Sequence, residues 1–431
     1  MAITVLATGD IHIGKKSSSI FQDAEESATK YSCFRIVDYA IKHEGDVLAL
    51  TGDVVDRDNR YFEAIGPLQT GFEKLKRAGI EVYLVSGNHD FDVLSQLVDS
   101  KKYENVHLLG ANGTWEMKTF SKNGEQIQFV GWSFPSMHIT EDPLSAFAMS
   151  GMDPNITTLG LLHGDVNVPD SKYAPIDLNN FANHPVHIWM LGHIHKPQIL
   201  REVDPLVYYP GSPHALSAKE QGAQGPVLLT IHSATSIEKK QIPLSPVRYE
   251  ILEIDITDKI TESEVRNVVT SLLYDDAKSK IMELENVYFL IYDIILVGQH
   301  SKIKDLERWI HPIIADYDQK IDSTETKISV RKVVLNVTAK VENLKELAQE
   351  SSPTGILAKT IIALNNGETT EFSDRLFSQW ESIQPNGWQS PVYQPLRTTE
   401  QFSVEESQSV KDYLLDECNR ILTELLEQQN Q

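Results

Sequence analysis

The most informative stretch of the chain is Asp46-Val47-Leu48-Ala49-Leu50-Thr51-Gly52-Asp53-Val54-Val55-Asp56-Arg57. Its first part, Asp46–Leu50, is rich in Val and Leu, as expected for a strand that is covered on both faces. A glycine and two acids follow where this strand would end. Because open α/β sheets bind ligands at the carboxyl ends of their strands, the stretch predicts an α/β fold with a polar site around Asp53.

The same pattern of apolar runs continues through the first half of the chain. Six further runs predict strands: Ile3–Ala7, Glu81–Val85, Asn105–Leu109, Gln126–Val130, Thr158–Leu162 and His187–Leu191. Apolar residues at spacings of three and four predict helices around Phe34–Ile41 and from Ile65 to Arg77, the second ending at Gly79. Asn112-Gly113 and Asn123-Gly124 are hairpin signals, so the later part of this domain should be more antiparallel.

Composition indicates a folded protein. With 41% hydrophobic and 23% charged residues, a chain of 431 residues can bury a core, and about 150 residues per domain gives two or three domains. The formal net charge, from 39 Lys and Arg against 61 Asp and Glu, is −22. This charge argues against a protein that coats nucleic acid through a broad basic surface.

Other sequence features point to a cytoplasmic protein without a membrane span. No apolar run approaches the roughly 20 residues that cross a bilayer, and Met1–Asp10 lacks the pattern of a signal peptide. The two cysteines, Cys33 and Cys418, cannot form a disulfide framework or a cysteine-based zinc site. We therefore expect a reducing compartment.

Beyond the first half, the chain divides into two smaller parts. A boundary near Pro243–Pro246 separates a first domain, residues 1–245, from a small α/β domain, residues 246–343, with strand patterns at 249–256, 286–297 and 327–337. Residues 344–431 are expected to be helical, with a helix opening at Ser352-Pro353-Thr354. A Pro- and Gly-containing stretch from Pro385 to Pro395 should precede a last helix that begins at about Val404.

Five short motifs in the first domain carry reactive side chains. They are Asp10-Ile11-His12, Gly52-Asp53-Val54-Val55-Asp56-Arg57, Gly87-Asn88-His89-Asp90, Leu162-His163-Gly164-Asp165 and Gly192-His193-Ile194-His195. Each motif alone is weak, because a histidine beside a strand end is more often structural. Together, at equivalent strand ends, they predict one site.

The residue types favour a site for two divalent cations. Carboxylate, imidazole and amide oxygen together suit Mn, Fe or Zn better than Ca. Two such ions need a shared anionic ligand, which a strand-end aspartate can supply. A metal pair clamps a phosphate, lowers the pKa of bound water and stabilises an in-line displacement. The motifs therefore predict hydrolysis of a phosphoester without a covalent enzyme intermediate.

The five motifs resemble those of the calcineurin-like metallophosphoesterases, and their order is similar to the SbcD-type nuclease subunits of bacterial double-strand-break processing complexes. The turn Tyr209-Pro210-Gly211-Ser212-Pro213 also resembles that subset, and the YhaO-like branch is the nearest in layout. The resemblance covers roughly residues 1–245. It implies a four-layer α/β/β/α sandwich with a small α/β capping domain and a helical C-terminal region.

The resemblance also implies a ligand set. One metal would be held by Asp10, His12, Asp53 and His195, and the second by Asp53, Asn88, His163 and His193, with Asp53 bridging the two. Manganese is the usual activating ion of the family, and iron or zinc would also fit these donors.

Three further residues receive roles by the same resemblance. His89 matches the histidine that contacts the scissile phosphate and serves as general acid, and Asp90 is a candidate to orient it. Some members carry a histidine where this chain has Asp56, which could instead pair with Arg57 or make a turn contact. Of the histidines outside the motifs, His214 has the best claim to a role, because its loop should approach the site.

The implied function is that of a DNA exonuclease, with endonuclease activity as an option, acting on duplex ends and pairing as a homodimer. SbcD-type nucleases bind an SMC-like ATPase, the SbcC type, through C-terminal helices. The last helix carries an apolar stripe formed by Leu414, Cys418, Ile421 and Leu425, which could face such a partner or pack on its own domain.

Two other function classes stay open. A phosphodiesterase acting on a small molecule or another non-DNA phosphoester would use the same metals. A binding protein with vestigial catalysis is the second class, although a decayed site should have lost at least one ligand.

Overall fold

The computed structural model describes residues 2–17, 24–58, 63–98, 103–148, 151–153, 155–316, 319–321, 324–340, 343–389 and 407–429. Its contacts divide the chain into two compact units. The first contains Met1–Ile251, Tyr274–Asp293 and Tyr317–Arg331, and the second contains Leu252–Leu273, Ile294–Asp316 and Lys332–Gln431. The domain boundaries after residues 245 and 343 stay predictions.

The described residues form sixteen strands and nine α-helices. The strands are β1 (Ile3–Thr8), β2 (Val47–Leu50), β3 (Glu81–Leu84), β4 (Val106–Leu108), β5 (Trp115–Lys122), β6 (Glu125–Trp132), β7 (Thr157–His163), β8 (Ile188–Gly192), β9 (Gln198–Arg201), β10 (Leu206–Tyr209), β11 (Val227–Ser233), β12 (Ser236–Gln241), β13 (Val247–Asp255), β14 (Phe289–His300), β15 (Gln319–Lys320) and β16 (Lys327–Ala339). The helices are α1 (Thr29–Lys42), α2 (Ile65–Ala78), α3 (Leu94–Leu97), α4 (Glu262–Ser279), α5 (Ile303–Asp316), α6 (Leu344–Leu347), α7 (Pro353–Asn365), α8 (Glu371–Gln389) and α9 (Ser407–Gln429).

Two six-stranded sheets form the centre of the first unit. The first sheet has the order β12-β11-β1-β2-β3-β4, and β1 to β4 run parallel. The second has the order β5-β6-β7-β8-β10-β9, with β6, β7, β8 and β10 parallel. Parallel neighbours present their carboxyl ends at one edge, so side chains that follow different strands come together there.

Three apolar layers hold these sheets in place. Between the sheets, Tyr83 of β3 stacks on Phe129 of β6 with ring centroids 4.2 Å apart. Outside the first sheet, α1 and α2 bury Ile36 and Phe72 against it. Outside the second sheet, Trp189 packs on loops and on short 3-10 turns such as Leu178–Asn183. The predicted mixed α/β sandwich, with sheets flanked by helical segments, is confirmed.

Most predicted elements of this unit are confirmed, because they rest on buried apolar runs. Gly79 ends α2 in the left-handed conformation, with φ 72°, as its position predicted. The predictions did not include β5, whose half-exposed residues give no continuous apolar run. Its hairpin with β6 closes at Asn123-Gly124, where both residues have positive φ and fit a tight two-residue turn.

The remaining strands form a third sheet with the order β13-β14-β16-β15. In the second unit, α7 begins as predicted, because the Ser352 side chain accepts a hydrogen bond from the Gly355 backbone N–H and Pro353 occupies the first turn. The helix α8 was not predicted. It continues to Gln389 and so includes the first five residues of the Pro- and Gly-containing stretch that begins at Pro385.

The last helix, α9, uses its predicted apolar stripe within the second unit. Cys418 and Leu422 are buried against Leu357 and Ile361 of α7, and Leu414, Ile421 and Leu425 flank that contact. Residues 404–406, where this helix was predicted to begin, lie outside the described residues. No helix in the described ranges is both long and apolar enough to cross a membrane.

His214 is a structural residue rather than a site residue. It is fully buried, and its two ring nitrogens lie 2.8 Å from the hydroxyls of Ser17 and Ser32. It therefore connects the turn after β10 with the loop after β1 and with α1.

We predict that His214 makes stability pH-dependent. Burial lowers the pKa of His214 to about 4 from an ordinary value of 6.5. The unfolded chain binds a proton below about pH 6.5, whereas the folded protein binds it only below about pH 4, so the free energy of unfolding decreases as the pH falls through this window. Between pH 7 and pH 5 the loss should be about 2 kcal/mol.

Urea unfolding in a chelating buffer, followed by tryptophan fluorescence at both pH values, measures this effect. His214→Gln should reduce the pH dependence by about 2 kcal/mol, whereas His232→Gln, which changes an exposed histidine, should not. Equal pH dependence in the two variants would contradict the prediction.

Candidate metal centre

The edge formed by the strand ends brings all seven predicted ligands together. Asp10 and His12 follow β1, Asp53 follows β2, Asn88 follows β3, His163 ends β7, and His193 and His195 follow β8. The two sheets face each other across a shared core, so ligands from β1 to β3 meet those from β7 and β8.

Asp10, His12 and His195 form the first cluster of candidate ligands. One ligand atom from each side chain lies within 4.8 Å of the others. The Nε2 atoms of His12 and His195 are 3.1 Å apart, and His195 Nε2 is 3.9 Å from Asp10 Oδ1. Two imidazole nitrogens and a carboxylate oxygen therefore point at one small volume, as a cation requires.

Asp53, His163 and His193 form the second cluster, again with ligand atoms within 4.8 Å. Asn88 joins it, because its Oδ1 lies 3.1 Å from His163 Nε2. Asp53 stands between the clusters, with Oδ2 3.9 Å from His12 Nε2 and 3.5 Å from His163 Nε2. A carboxylate in this position can contribute to both cation positions.

The backbone at the ligands is strained. Ten described residues other than glycine have positive φ, and four of these are candidate ligands: Asp10 (50°), His12 (49°), Asp53 (47°) and His193 (104°). Such conformations are costly for residues with a Cβ and concentrate at functional sites. The neighbouring Gly87 is also required, because a Cβ there would overlap the Asp53 carboxylate and the His163 ring.

Hydrogen bonds between the loops hold this backbone. The N–H groups of Asp10 and His12 donate to the carbonyls of Gly52 and Asp53, both at 3.0 Å. The Ser212 hydroxyl of the Pro-Gly-Ser turn donates to the Asp10 carbonyl at 2.9 Å, and the Ser212 N–H donates to the His195 carbonyl at 2.8 Å. This turn therefore ties the first motif to the last.

In three of the candidate histidine ligands, the ring nitrogen that faces away from the cluster also has a partner. His163 Nδ1 lies 3.0 Å from the Thr51 carbonyl, and His195 Nδ1 lies 3.1 Å from Glu220 Oε1. His193 Nε2 is 3.4 Å from Asp165 Oδ1. Metal-binding histidines commonly use the second nitrogen in this way, since the partner fixes the ring and its tautomer. The predictions did not include Glu220 or Asp165.

The Asp56 carboxylate faces the rings of His12 and His89. Its Oδ1 is 3.4 Å from His12 Nδ1, 3.3 Å from His89 Nδ1 and 2.8 Å from Lys15 Nζ. Burial alone would raise the pKa of Asp56, but these neighbours hold it far below its ordinary value. Because Lys15 already supplies a positive charge, His12, Asp56 and His89 do not need a third metal. The suggested pairing with Arg57 is replaced by these contacts.

The expected role of Asp90 needs correction. Its carboxylate accepts hydrogen bonds from the backbone N–H groups of Gly87 (2.8 Å), Val54 (2.6 Å) and Val55 (3.2 Å), so it joins the loops after β2 and β3. Full burial beside the Asp53 charge raises the pKa of Asp90 to about 7. Asp56, rather than Asp90, faces the His89 ring.

The electrostatics of the site fit a bound cation. Asp53 is only 2% exposed, and burial alone would raise its pKa, yet the surrounding imidazoles lower it well below its ordinary value. Burial opposes protonation of His163, but the Asp53 charge raises the pKa of His163 to about 9. Without a metal, protons on imidazoles balance the buried carboxylate, and a divalent ion would replace them.

Comparison with known proteins supports the metallophosphoesterase resemblance in the first part of the chain. Residues 3–197 match the model of the calcineurin-like phosphoesterase family. The chain is 29% identical over 266 residues to the metallophosphoesterase YhaO of Bacillus subtilis, covering 59% of this chain and 64% of YhaO. This match therefore spans slightly less than two thirds of that relative.

Two further relatives are more distant. The DNA double-strand break repair protein Mre11 of Methanocaldococcus jannaschii is 25% identical over 378 residues, covering 79% of this chain and 96% of Mre11. The SbcD component of the nuclease SbcCD from Staphylococcus epidermidis is 23% identical over 294 residues, covering 60% of this chain and 74% of SbcD. With the family match, these similarities confirm the resemblance that the motifs indicated: the chain carries a calcineurin-like metallophosphoesterase domain, with homologues among the YhaO, Mre11 and SbcD proteins.

Proposed function

We propose that this protein is a two-metal-dependent DNA nuclease, an exonuclease with possible endonuclease activity. The observation that carries the proposal is the pair of ligand clusters with Asp53 between them and the His89 ring beside them. Asp10, His12, Asp53 and His195 would hold one ion, and Asp53, Asn88, His163 and His193 the other. Bound divalent ions would supply charge for the phosphate oxygens and lower the pKa of the attacking water.

We assign the role of general acid to His89 as part of this proposal. Its side chain is 28% exposed, so it can reach a substrate, and its Nε2 lies 4.0 Å from Asp53 Oδ2. Asp56 Oδ1 lies 3.3 Å from the other nitrogen, Nδ1. When the imidazole is doubly protonated, Nε2 can donate to the leaving oxygen. The backbone N–H of His89 also donates to Asp53 Oδ1 at 2.8 Å, which holds the backbone of His89 next to this candidate ligand.

Support for a DNA substrate comes from two relatives, Mre11 and SbcD, whose names describe break repair and nuclease activity. The same ligand set can hydrolyse a small phosphodiester, which stays the alternative. Manganese is the proposed ion, because the family resemblance implies it as the usual activating ion. The imidazole, carboxylate and amide donors suit manganese, iron and zinc alike.

The first test is metal-dependent digestion of end-labelled duplex DNA, compared with hydrolysis of a small phosphodiester. We predict Mn²⁺-dependent loss of the DNA end label, and a decrease in kcat of about 10²- to 10⁴-fold in His89→Gln, because general acid catalysis contributes about that much. His43→Gln, an exposed histidine of the same unit, is the matched control.

Metal content should be unchanged in His89→Gln, since His89 is not a ligand. Retained activity in this variant would remove its role as general acid. Hydrolysis of the small phosphodiester alone, with no digestion of DNA, would favour the alternative function.

A second prediction concerns the bridging ligand. Asp53→Ala should weaken binding of both metals by more than about tenfold, because even loss of a residue that only supports a ligand costs about that factor. Metal titration calorimetry and elemental analysis measure this effect. Asp38→Ala, which removes an exposed carboxylate paired with Lys74, should bind metal normally. Loss of only one ion in Asp53→Ala would show that Asp53 does not bridge.

We also propose that the C-terminal helices bind an SMC-like ATPase of the SbcC type. Because the apolar stripe of α9 already packs on α7, the partner needs another surface. The candidates are exposed apolar residues, one on each of α7, α8 and α9: Ile356 is 46% exposed, Trp380 is 44% exposed and Tyr413 is 67% exposed. Exposed aromatic residues are common in protein interfaces. The homodimer stays a prediction.

The partner proposal predicts that Tyr413→Asp weakens association with a co-expressed SMC-like ATPase by at least about tenfold, the usual effect at an aromatic contact in an interface centre. Pull-down titration measures the affinity, and hydrolysis of the small phosphodiester shows that the nuclease domain is intact. Tyr413→Phe is the matched control. Unchanged binding by Tyr413→Asp, Ile356→Asp and Trp380→Asp would exclude this surface.

A further inference from the structure

A rigid wall stands beside the second ligand cluster. It consists of residues 133–139 and 165–176, here called the aromatic wall. The Ile139 N–H donates to the Lys172 carbonyl and the Ala174 N–H donates to the Ile139 carbonyl, both at 2.8 Å. The Asp165 N–H donates to the Tyr173 carbonyl at 2.9 Å, so the wall is also tied to the strand end that carries His163. Backbone bonds therefore fix the positions of residues 138 and 173.

Three rings form a row along this wall. The ring of Tyr173 lies 4.9 Å from the ring of His193, tilted by 39°, and the ring of His138 lies 5.9 Å from that of Tyr173, tilted by 40°. His193 is a candidate metal ligand, Tyr173 is half-buried and His138 is exposed. The row thus leads outward from the cation position to the surface.

Cationic side chains flank the same wall. Lys172 is exposed next to Tyr173. Arg57 is exposed and its guanidinium lies 3.2 Å from the sulfur of Met137, next to His138. Aromatic rings interleaved with cations are the arrangement by which proteins hold single-stranded nucleic acid, with rings under the bases and cations near the phosphates.

We propose that Tyr173 and His138 form a stacking platform for a nucleobase adjacent to the scissile phosphate. This inference rests on the proposed nuclease function and specifies its substrate. The row begins at a candidate ligand, so a phosphate held by the metals would place its neighbouring nucleotide over these rings. The contact would be tolerant of sequence, because every base has a π-face.

The platform also defines which form of DNA is bound. In a duplex both faces of a base are covered by neighbouring base pairs, so a base must leave the stack to lie on a protein ring. The preferred substrate is therefore a single strand or a frayed end, with the base next to the cleaved bond unpaired.

The test compares short single-stranded oligonucleotides with identical ones in which one nucleotide flanking the scissile bond, on either side, is abasic. For each protein, the ratio of kcat/KM between the two substrates reports base stacking. In the wild type this ratio should be about 5 to 100, the range expected for stacking one base on an aromatic side chain. Because both substrates meet the same protein, altered folding or metal occupancy cancels in the ratio.

The variants separate the platform from a purely structural role of these residues. Tyr173→Ala and His138→Ala should bring the ratio close to one, whereas Tyr173→Phe should keep the wild-type ratio. His232→Ala, an exposed histidine on another strand, is the matched control. A second readout is quenching of 2-aminopurine fluorescence on binding in chelator, which should be strong for the wild type and lost in Tyr173→Ala.

Two results would overturn the platform while leaving the nuclease function intact: a wild-type ratio of one on oligonucleotides that are cleaved, or an unchanged ratio in Tyr173→Ala and His138→Ala. If the wild type hydrolyses a small phosphodiester and cleaves no oligonucleotide, the proposed nuclease function fails and the platform fails with it.

Discussion

The site depends on one buried charge, the carboxylate of Asp53. It is almost wholly removed from water, which is costly for an ion unless nearby groups compensate it. The compensation comes from imidazoles on several sides, with His163 at 3.5 Å and His12 at 3.9 Å. When no cation is present, a carboxylate placed in this way raises the pKa of His163, whereas burial keeps the pKa of His12 below its ordinary value. The proton on His163 and the divalent ions are thus alternative partners of the same charge, and the imidazoles serve as ligands once a cation binds.

The parts of the structure that could be predicted from the sequence are those that rest on buried apolar strands. Strands such as β1 and β7 were predictable because each is a mostly apolar run buried on both faces. The ligands followed because they end a strand or lie within four residues of a strand end. Glu220 could not be found in this way, since it contacts His195 from 25 positions further along the chain. Asp165 had a signal, because it belongs to the His163 motif. The roles of Asp56 and Asp90 depend on side-chain direction, which spacing does not define.

The net charge of −22 is a sum over the whole chain and does not describe the charge at the site. Acids at the site are engaged: Asp10 accepts the backbone N–H of His193 at 3.0 Å, and Asp56 is paired with Lys15. With two divalent ions bound, the centre would be far less negative than the average of the chain. For the proposed DNA substrate, this charge would restrict long-range attraction more than contact at the site. Local contacts and the proposed partner would then supply most of the affinity.

Hydrogen bonds between loops hold the backbone that carries the candidate ligands. The loop after β1 is joined to the loop after β2 by backbone bonds, and Ser212 joins both Asp10 and His195, although they are far apart in sequence. Apart from the Ser212 hydroxyl, these bonds connect backbone atoms, and none of them uses a ligand atom of a candidate ligand. They therefore hold the backbone of the ligands while leaving the ligand atoms available, at the cost of strained residues such as Asp53. For that reason, removing a ligand should empty the site rather than unfold the domain, and the strain is retained because the fold requires it.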